Sequence, residues 1–522
     1  MMIDPGQMVR EELKAASAAD ALGASGLGGS SAREGAAALS GKALAVAKTM
    51  TAKAISPTIV AGLVRLFEWM VIAAVGALTY AFYLGSEVGF SLFYCSIILA
   101  ASTVAVGLFQ LLGLYTPYGL RSVGHQGPRL VAGWMGLFAV MLSIGFFSNI
   151  GDDVSRLWVG LWFAFGLAAL MAYRGGVIAL VNHWTAAGRL MRHAALVGGG
   201  KDAEKLVEAL RSSSTNDLKL IGFFDDRGDD RSRQECAGLP KLGSVDDAVT
   251  FARLSNVDMM IVTLPVTAEK RVLDMVRKLW VLPIDVRLSA HTAKLRFRPR
   301  AYNYIGSVPF LAVFDRPLTD WDYLAKTLLD RVVGALMLIG LSPVMLATAL
   351  AVKLDSKGPA LFKQKRFGFN NEPIEVYKFR SMYTDMCDVR ATKLVTKDDP
   401  RVTKVGKFIR STSLDELPQL FNVVFKGDLS LVGPRPHAMA AKAAGGLYQN
   451  VVDGYFARHK VKPGITGWAQ VNGWRGETDT DEKIERRVEH DLYYIENWSI
   501  WLDLQILAMT PLSLVSKNEN AY

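Results

Sequence analysis

Four apolar runs, at about residues 63–84, 88–114, 130–150 and 157–181, restrict the fold of this chain more than any other feature of its sequence. Each reaches the ~20 residues that a helix needs to cross the hydrocarbon core of a bilayer. From Val88 to Leu120 there is no charged residue at all. A helix there offers no wet face, so four buried helices of a soluble bundle are a poor alternative. The runs predict a four-helix transmembrane bundle over residues 57–185. A hydrophobic fraction of 51% agrees and excludes bulk disorder. Residues 1–56, rich in Ala, Gly and Ser, hold no apolar run near the start, and a disordered or weakly helical tail is expected there.

The charges beside the runs orient them. Lys42, Lys48, Lys53 and Arg65 precede or open the first, and Glu87 lies between the first two. Arg121 and Arg129 follow the second run; Asp152, Asp153 and Arg156 lie between the third and fourth. Arg174, Arg189 and Arg192 come at or after the end of the fourth. Basic connections alternate with ones that are not net basic, which puts both ends of the bundle on the cytoplasmic side.

From residue 190 to 315 the composition turns soluble and α/β. Ala194–Gly200 reads as a strand entering a glycine turn, and Lys201–Leu210 as a helix. Gly198-x-Gly200-x-x-Ala203 fits the relaxed dinucleotide fingerprint, with Asp225 or Asp226 closing a second strand. Asp202 follows Gly200-Lys201, so this is no P-loop, and no Tyr has a Lys four residues later. A Rossmann-like domain with a structural or regulatory role is the reading, ahead of one with a working nucleotide cofactor. Three scattered cysteines exclude a disulfide framework, and the seven histidines show no metal-binding spacing.

A fifth apolar segment, Leu328–Val352, carries Ser342-Pro343 in its middle and basic residues at both ends (Lys326 and Arg331; Lys353, Lys357, Lys363). Proline inside a helix removes a hydrogen bond and clashes with the preceding turn. A broken segment with two basic flanks predicts a re-entrant helical hairpin over 324–352, both ends cytoplasmic.

The stretch 353–435 contains 16 Lys/Arg against 10 Asp/Glu, most of the chain's net charge of +10. Part of it suits anionic lipid headgroups. Alternation in Ile374–Arg380 reads as a strand with Lys378 and Arg380 on one face. Arg401, Lys404, Lys407 and Arg410 recur every three residues, a basic helical stripe beside Val402, Val405 and Ile409. Two such faces suit a pyrophosphate. Aromatic interleaving is sparse, which argues against nucleic acid. Next comes Ser413-Leu-Asp415-Glu416. One reading is a capping box, with Ser413 and Glu416 closing a helix start. The other is an acidic dyad among cations, able to hold Mg²⁺ or to attack phosphorus.

Lys378-Phe-Arg-Ser-Met382, Asp399-Pro-Arg401, Leu414–Gln419, Gly427–Pro436 and Lys462–Gly467 occur in order. Together they closely resemble the bacterial sugar transferase family, the monotopic polyprenyl-phosphate phosphoglycosyl transferases, over about residues 324–522. With four spanning helices and a Rossmann-like module, the chain looks like the large form of that family. The resemblance implies an α/β-mixed catalytic domain (320–522) at the inner membrane of a bacterium, facing the cytoplasm. It implies that Asp415 attacks the sugar-linked phosphate of a UDP-sugar, that UMP leaves, and that undecaprenyl phosphate then takes the phosphosugar. Glu416 would help Asp415 hold Mg²⁺ or act on the acceptor. Lys378, Arg380, Arg401, Arg410 and Arg435 are the expected phosphate and uridine contacts. The run Gly467–Thr478 is similar to the undecaprenyl-phosphate glucose phosphotransferase branch, which makes UDP-glucose the first donor to expect and UDP-galactose the second. Membrane lipids are partners by position, and a homodimer is a family-level expectation. Two rival readings are a metal-dependent glycosyltransferase using Asp479-Thr-Asp481, and a membrane scaffold with an inactive transferase domain.

Overall fold

The computed structural model describes residues 39–50, 55–116, 123–148, 153–213, 218–227, 234–264, 268–290, 303–305, 308–384, 399–436, 442–443, 446–447, 455–474 and 480–515. Residues 1–38 of the expected tail, Arg121, Asp152, Cys387 and Asp479 of the rival metal motif lie outside them. The chain divides into two compact units, residues 52–192 and residues 1–51 with 193–522.

The first unit holds four apolar helices, Pro57–Tyr83, Leu92–Leu111, Val123–Phe147 and Arg156–Ala186. All four are long and apolar enough to span a membrane. The first packs on the second and fourth, and the third also packs on the second and fourth. Glycine permits the closest approach: a Cβ on Gly76 would meet the Trp162 ring, and one on Gly166 the Trp134 ring. The indoles of Trp158 and Trp162 donate to the carbonyls of Gly76 and Ile72 at 3.3 and 3.1 Å. Large apolar side chains stand outward, Phe82 at 87% and Phe147 at 86% exposure. Water would penalise that surface and lipid does not, so this is a membrane protein.

Inside the four helices lies a charge pair. Glu68, 0% exposed, accepts from Arg174 Nε and Nη2 at 2.8 and 2.6 Å and from the Tyr115 hydroxyl at 2.5 Å. Arg174 also donates to the Leu114 carbonyl and the Gln126 side chain. It is therefore no flanking charge, as expected from sequence, but a partner held within the fourth helix. An ion pair this deep needs both members and extra hydrogen bonds.

In the second unit, residues 192–314 form one sheet with strands β1 Arg192–Val197, β2 Leu218–Phe224, β3 Glu235–Cys236, β4 Leu239–Gly243, β5 Met259–Val262, β6 Asp285–Ser289, β7 Asn303–Ile305 and β8 Val308–Phe314. The order is β3-β4-β2-β1-β5-β6-β8-β7. The stretch β4-β2-β1-β5-β6 is a doubly wound arrangement, whose parallel strands need helical crossovers. The helices Lys201–Ser212, Val245–Leu254 and Glu269–Leu279 supply three of them, and the connection from β2 to β4 passes through β3. Strands β1 and β5 are buried on both faces, hence their continuous apolar runs. After β2, Asp225 accepts from the N–H groups of Gly199 and Arg227, so this carboxylate closes the glycine turn itself.

The expectation of a tail up to residue 56 is corrected at its end. Gly41–Thr49 is a helix, capped by Ser40, with Ala43, Val46 and Ala47 buried in the same cluster as Val197, Leu242 and Phe251. Its apolar residues recur at a helical spacing that an Ala-rich composition had hidden.

The rest of the unit begins with the anchor helix, Asp320–Asp355, 36 residues long with Pro343 inside. The segment expected to form a re-entrant hairpin is helical on both sides of Pro343. Proline leaves the Ile339 carbonyl without its N–H partner, and the Ser342 hydroxyl donates to that carbonyl at 2.7 Å. The local repair comes from the residue beside the proline. After the anchor helix come the hairpin β9 Leu361–Phe367 and β10 Pro373–Phe379, the basic helix Lys404–Ser411, and a tight turn at Leu414–Glu416. β11 Ser430–Val432 pairs in parallel with Gly464–Thr466. Helices Asp481–Glu496 and Ile500–Val515 close the fold.

Lys326 fastens the anchor helix to the last one, with Nζ 2.6 Å from Asp503 Oδ2, and Tyr494 donates to the other oxygen of Asp503 at 2.8 Å. Tyr494 is thus core, while Trp501 stands outward at 76% exposure.

Candidate active site

Three elements bring the site together. Lys378 lies near the end of β10. The basic helix follows a bridge between Met382 and Val402, and the Thr403 N–H donates to the Ser381 carbonyl at 3.1 Å. Gly406 lies so close to the Ser381 carbonyl that any Cβ would collide with it. That contact holds the helix carrying Arg410 against the strand carrying Lys378. The third element is the turn Leu414–Glu416. It is tied to β10 through Asn422, fully buried, which accepts from the Tyr377 N–H at 3.0 Å and donates to the Glu375 carbonyl at 2.7 Å.

Ser413 adopts a left-handed conformation, φ 58°, and its side chain caps nothing. The capping-box reading of Ser413 and Glu416 therefore fails. A non-glycine residue in that region carries strain of about 1 kcal/mol, of a kind common at functional sites. The dyad lies in a tight turn following the basic helix, where the sequence suggested a helix start.

Glu416 Oε1 accepts from Lys378 Nζ and from Arg435 Nη2, each at 2.8 Å. Asp415 has a looser partner, Lys378 Nζ at 3.9 Å from Oδ2. Burial pushes the Asp415 carboxyl above its ordinary value. Lys378, Arg410 and Arg435 pull it back down, and Glu416 adds to the rise. One carboxylate is thus locked by two cations while its neighbour faces the same cations unlocked. A group placed this way can act as a nucleophile toward an anionic substrate, since the cations offset the repulsion.

Five of the seven candidates from sequence converge here: Lys378, Arg410, Asp415, Glu416 and Arg435. Two do not. Arg401 pairs with Asp399 in the preceding turn, Nη2 to Oδ2 at 2.6 Å. The helix begins at Lys404, after an N-cap at Thr403, so Arg401 is not on its stripe. Arg380, 3% exposed, turns to the C-terminal end of the anchor helix. It donates to the carbonyls of Val352, Ser356 and Lys357 at 3.2, 2.7 and 2.7 Å. Strand β10 ends at Phe379, so period-two alternation no longer sets its direction. A cation at those orphan carbonyls is a helix cap, not a substrate contact. Arg380→Met is expected to lower folding stability by about 2 kcal/mol or more. The KM for substrate should be unchanged in the folded protein; thermal unfolding together with steady-state kinetics checks both.

Among the described residues, no cluster of three or more His, Cys, Asp and Glu side chains is suited to a metal. The two adjacent carboxylates are hard oxygen donors, which fits Mg²⁺ when substrate phosphates and water complete the shell.

The sequence model of the family described as bacterial sugar transferase matches residues 321–517, and that of a CoA-binding domain matches residues 110–290. The chain is 40% identical over 350 residues to an undecaprenyl-phosphate glucose phosphotransferase of Komagataeibacter xylinus, a match covering 67% of this chain and 64% of that protein. It is 33% identical over 457 residues to a UDP-glucose:undecaprenyl-phosphate glucose-1-phosphate transferase of Xanthomonas campestris pv. campestris, covering 87% of this chain and 93% of the relative. A protein of the same name from Escherichia coli (strain K12) is 36% identical over 433 residues, 81% of this chain and 89% of the relative. Matches at 33% and 36% identity run through nearly the full length of two relatives, and the chain belongs to the bacterial sugar transferase family, whose members are enzymes.

Proposed function

We propose that this protein transfers glucose-1-phosphate from UDP-glucose to undecaprenyl phosphate, the first step in assembling an exopolysaccharide or similar glycan. The names of the relatives supply the substrates. The observation that carries the chemistry is the asymmetric dyad, Glu416 bound by Lys378 and Arg435 with Asp415 left to face them.

In the proposed reaction, an Asp415 oxygen attacks the sugar-linked phosphorus. The bond from that phosphorus to the bridging oxygen breaks, and UMP leaves with the electron pair. An oxygen of undecaprenyl phosphate then attacks the same phosphorus, breaks the acyl phosphate and restores the carboxylate. Lys378, Arg410 and Arg435 hold phosphate oxygens and stabilise charge as it develops. Asp415 and Glu416 would hold Mg²⁺, which supplies further neutralisation of the pyrophosphate when bound. Analysis of the nucleotide product tests the reading. UMP is expected; UDP would favour direct glycosyl transfer and sink it.

The same reading places both ends of the anchor helix on the cytoplasmic side. Before Pro343, Lys326, Asp330 and Gly334 are buried against the transferase fold; after it, Met345, Thr348 and Val352 are buried against the same fold. The opposite stripe, including Leu336, Ile339, Leu346 and Leu350, is exposed and apolar. A helix that crossed a core ~30 Å thick would carry one end away from that domain. Re-entry, with the apolar stripe in lipid, keeps both halves on it. A reporter fused after Tyr522 is expected to read cytoplasmic, and a periplasmic signal would overturn re-entry. A second copy of the chain as partner is a family-level expectation, testable by mass in nanodiscs.

A further inference from the structure

The loop that carries Arg435 is held by its main chain. Its three carbonyls all have donors: Pro434 from the Gly464 N–H at 2.9 Å, Arg435 from Arg458 Nη2 at 2.8 Å, and Pro436 from Arg366 Nη1 at 2.7 Å. Arg458 is fully buried and pairs with Asp491, 2.5 Å away and 2% exposed. A buried ion pair is weak evidence for stability, because apolar residues of similar volume often serve as well. Here the guanidinium does more. Both bonds leave one nitrogen, Nη2, which serves a carboxylate and, at the same time, the carbonyl of a residue whose side chain reaches the dyad.

Arg458 belongs to a short helical turn, Tyr455–Lys460. Other residues of that turn meet the sheet domain. Arg253 lies over the Phe456 ring at 5.5 Å, and Lys460 lies over the rings of Trp280 and Phe314 at 5.2 and 5.3 Å. Burial lowers the Lys460 ammonium to about 8. Cations stacked on aromatic faces away from water form a firm, directional contact. Residues 455–460 thus connect the sheet domain to the loop of Arg435.

We propose that Arg458 is a positioning residue for Arg435, and that the turn bearing it is braced by the sheet domain at Trp280 and Phe314, so that the sheet domain helps set the geometry of the active site. The proposal rests on Arg435 being a contact for substrate phosphate. A displacement of about 1 Å at such a group can lower turnover by as much as a hundredfold. It also gives the sheet domain a role that requires no chemistry of its own.

The test uses the full chain in nanodiscs, with kcat, KM for UDP-glucose and Tm measured for each variant. Arg458→Lys keeps the charge beside Asp491, but its ammonium ends one bond short of Nη2 and does not reach both acceptors where they stand. It is expected to lower kcat/KM about tenfold with Tm little changed. In an Arg435→Lys background, most of that loss should vanish, because the group being positioned has already been altered. Trp280→Ala should lower kcat/KM a few-fold and show the same dependence on Arg435. If R458K does not fold, R458Q/D491N, which removes both charges together, takes its place. Kinetics like wild type in R458K, or losses that simply multiply with R435K, would overturn the positioning role. Unchanged kinetics in W280A would overturn the brace. An R435K protein with full turnover would instead remove the reading of Arg435 on which the proposal stands.

Discussion

Asp415→Asn is expected to abolish turnover, by at least about a thousandfold, while leaving the protein folded. The substitution keeps shape and volume and removes the nucleophilic oxygen. Folding should survive because the only ion pair of this carboxylate among the described residues is the loose one to Lys378, at 3.9 Å. Burial already disfavours its charge, so a neutral amide removes a desolvation cost. The decisive measurement is intact-protein mass after incubation with UDP-glucose and Mg²⁺, without lipid acceptor. Wild type should gain a hexose-phosphate adduct with release of UMP, and D415N should gain none. An adduct on D415N would move the nucleophile elsewhere. No adduct on wild type, with UMP still formed once undecaprenyl phosphate is added, would reduce Asp415 to a ligand for the metal.

The pH dependence follows from the same environment. The reactive form is the carboxylate, and its pKa is raised. Activity should therefore fall as pH drops through a value above the usual carboxylate range. Lys378 lowers that pKa, so Lys378→Met should move the acidic limb of the kcat/KM profile further up. A limb that stayed in place would separate Lys378 from the ionisation of Asp415.

Arg174→Met should destabilise the four-helix unit by about 3–5 kcal/mol. The change strands Glu68, a carboxylate at 0% exposure that loses its two-pronged partner and, among the described residues, keeps only the Tyr115 hydroxyl. Water is not at hand to solvate it, so the helices must part to admit a partner. The double variant Glu68→Gln/Arg174→Met leaves no buried charge and should recover most of the loss. Thermal unfolding in a fixed detergent reads both. A single variant as stable as wild type would mean that the pair is hydrated. Equal losses in single and double variants would mean that packing, not charge, is what Arg174 contributes.

The membrane helices were legible because lipid imposes a length and a composition that no short-range context can mimic. Pro57–Tyr83 and Leu92–Leu111 fall where the apolar runs fall. The doubly wound sheet was legible from its glycine turn and buried strands for a similar reason: each signal is local. Glu68 and Arg174 are 106 residues apart in the chain, and nothing beside either residue announces the other. Arg174 accordingly read as an orienting charge. The helix Gly41–Thr49 was hidden in an Ala-rich tail because its apolar face acquires meaning only against the sheet that it covers.

At the site, the residue types can be read along the chain: an acidic pair, an excess of cations before it, and the ordered motifs that resemble a family. Entry into lipid can be read there too, since the length and apolarity of a run set its transfer free energy. Which cations serve the pair depends on how distant segments fold together. Lys378 and Arg380 look equivalent two residues apart, yet one ends on Glu416 and the other on the carbonyls that close the anchor helix. The strand ends between them, and a side chain beyond it goes where the nearest unsatisfied acceptors are. Likewise, Ser342 keeps the anchor helix whole through Pro343, and Arg458 reaches Arg435 only because two distant turns are folded together. Hydrogen-bonding partners are set by proximity in space, and proximity in space is what a linear sequence does not display.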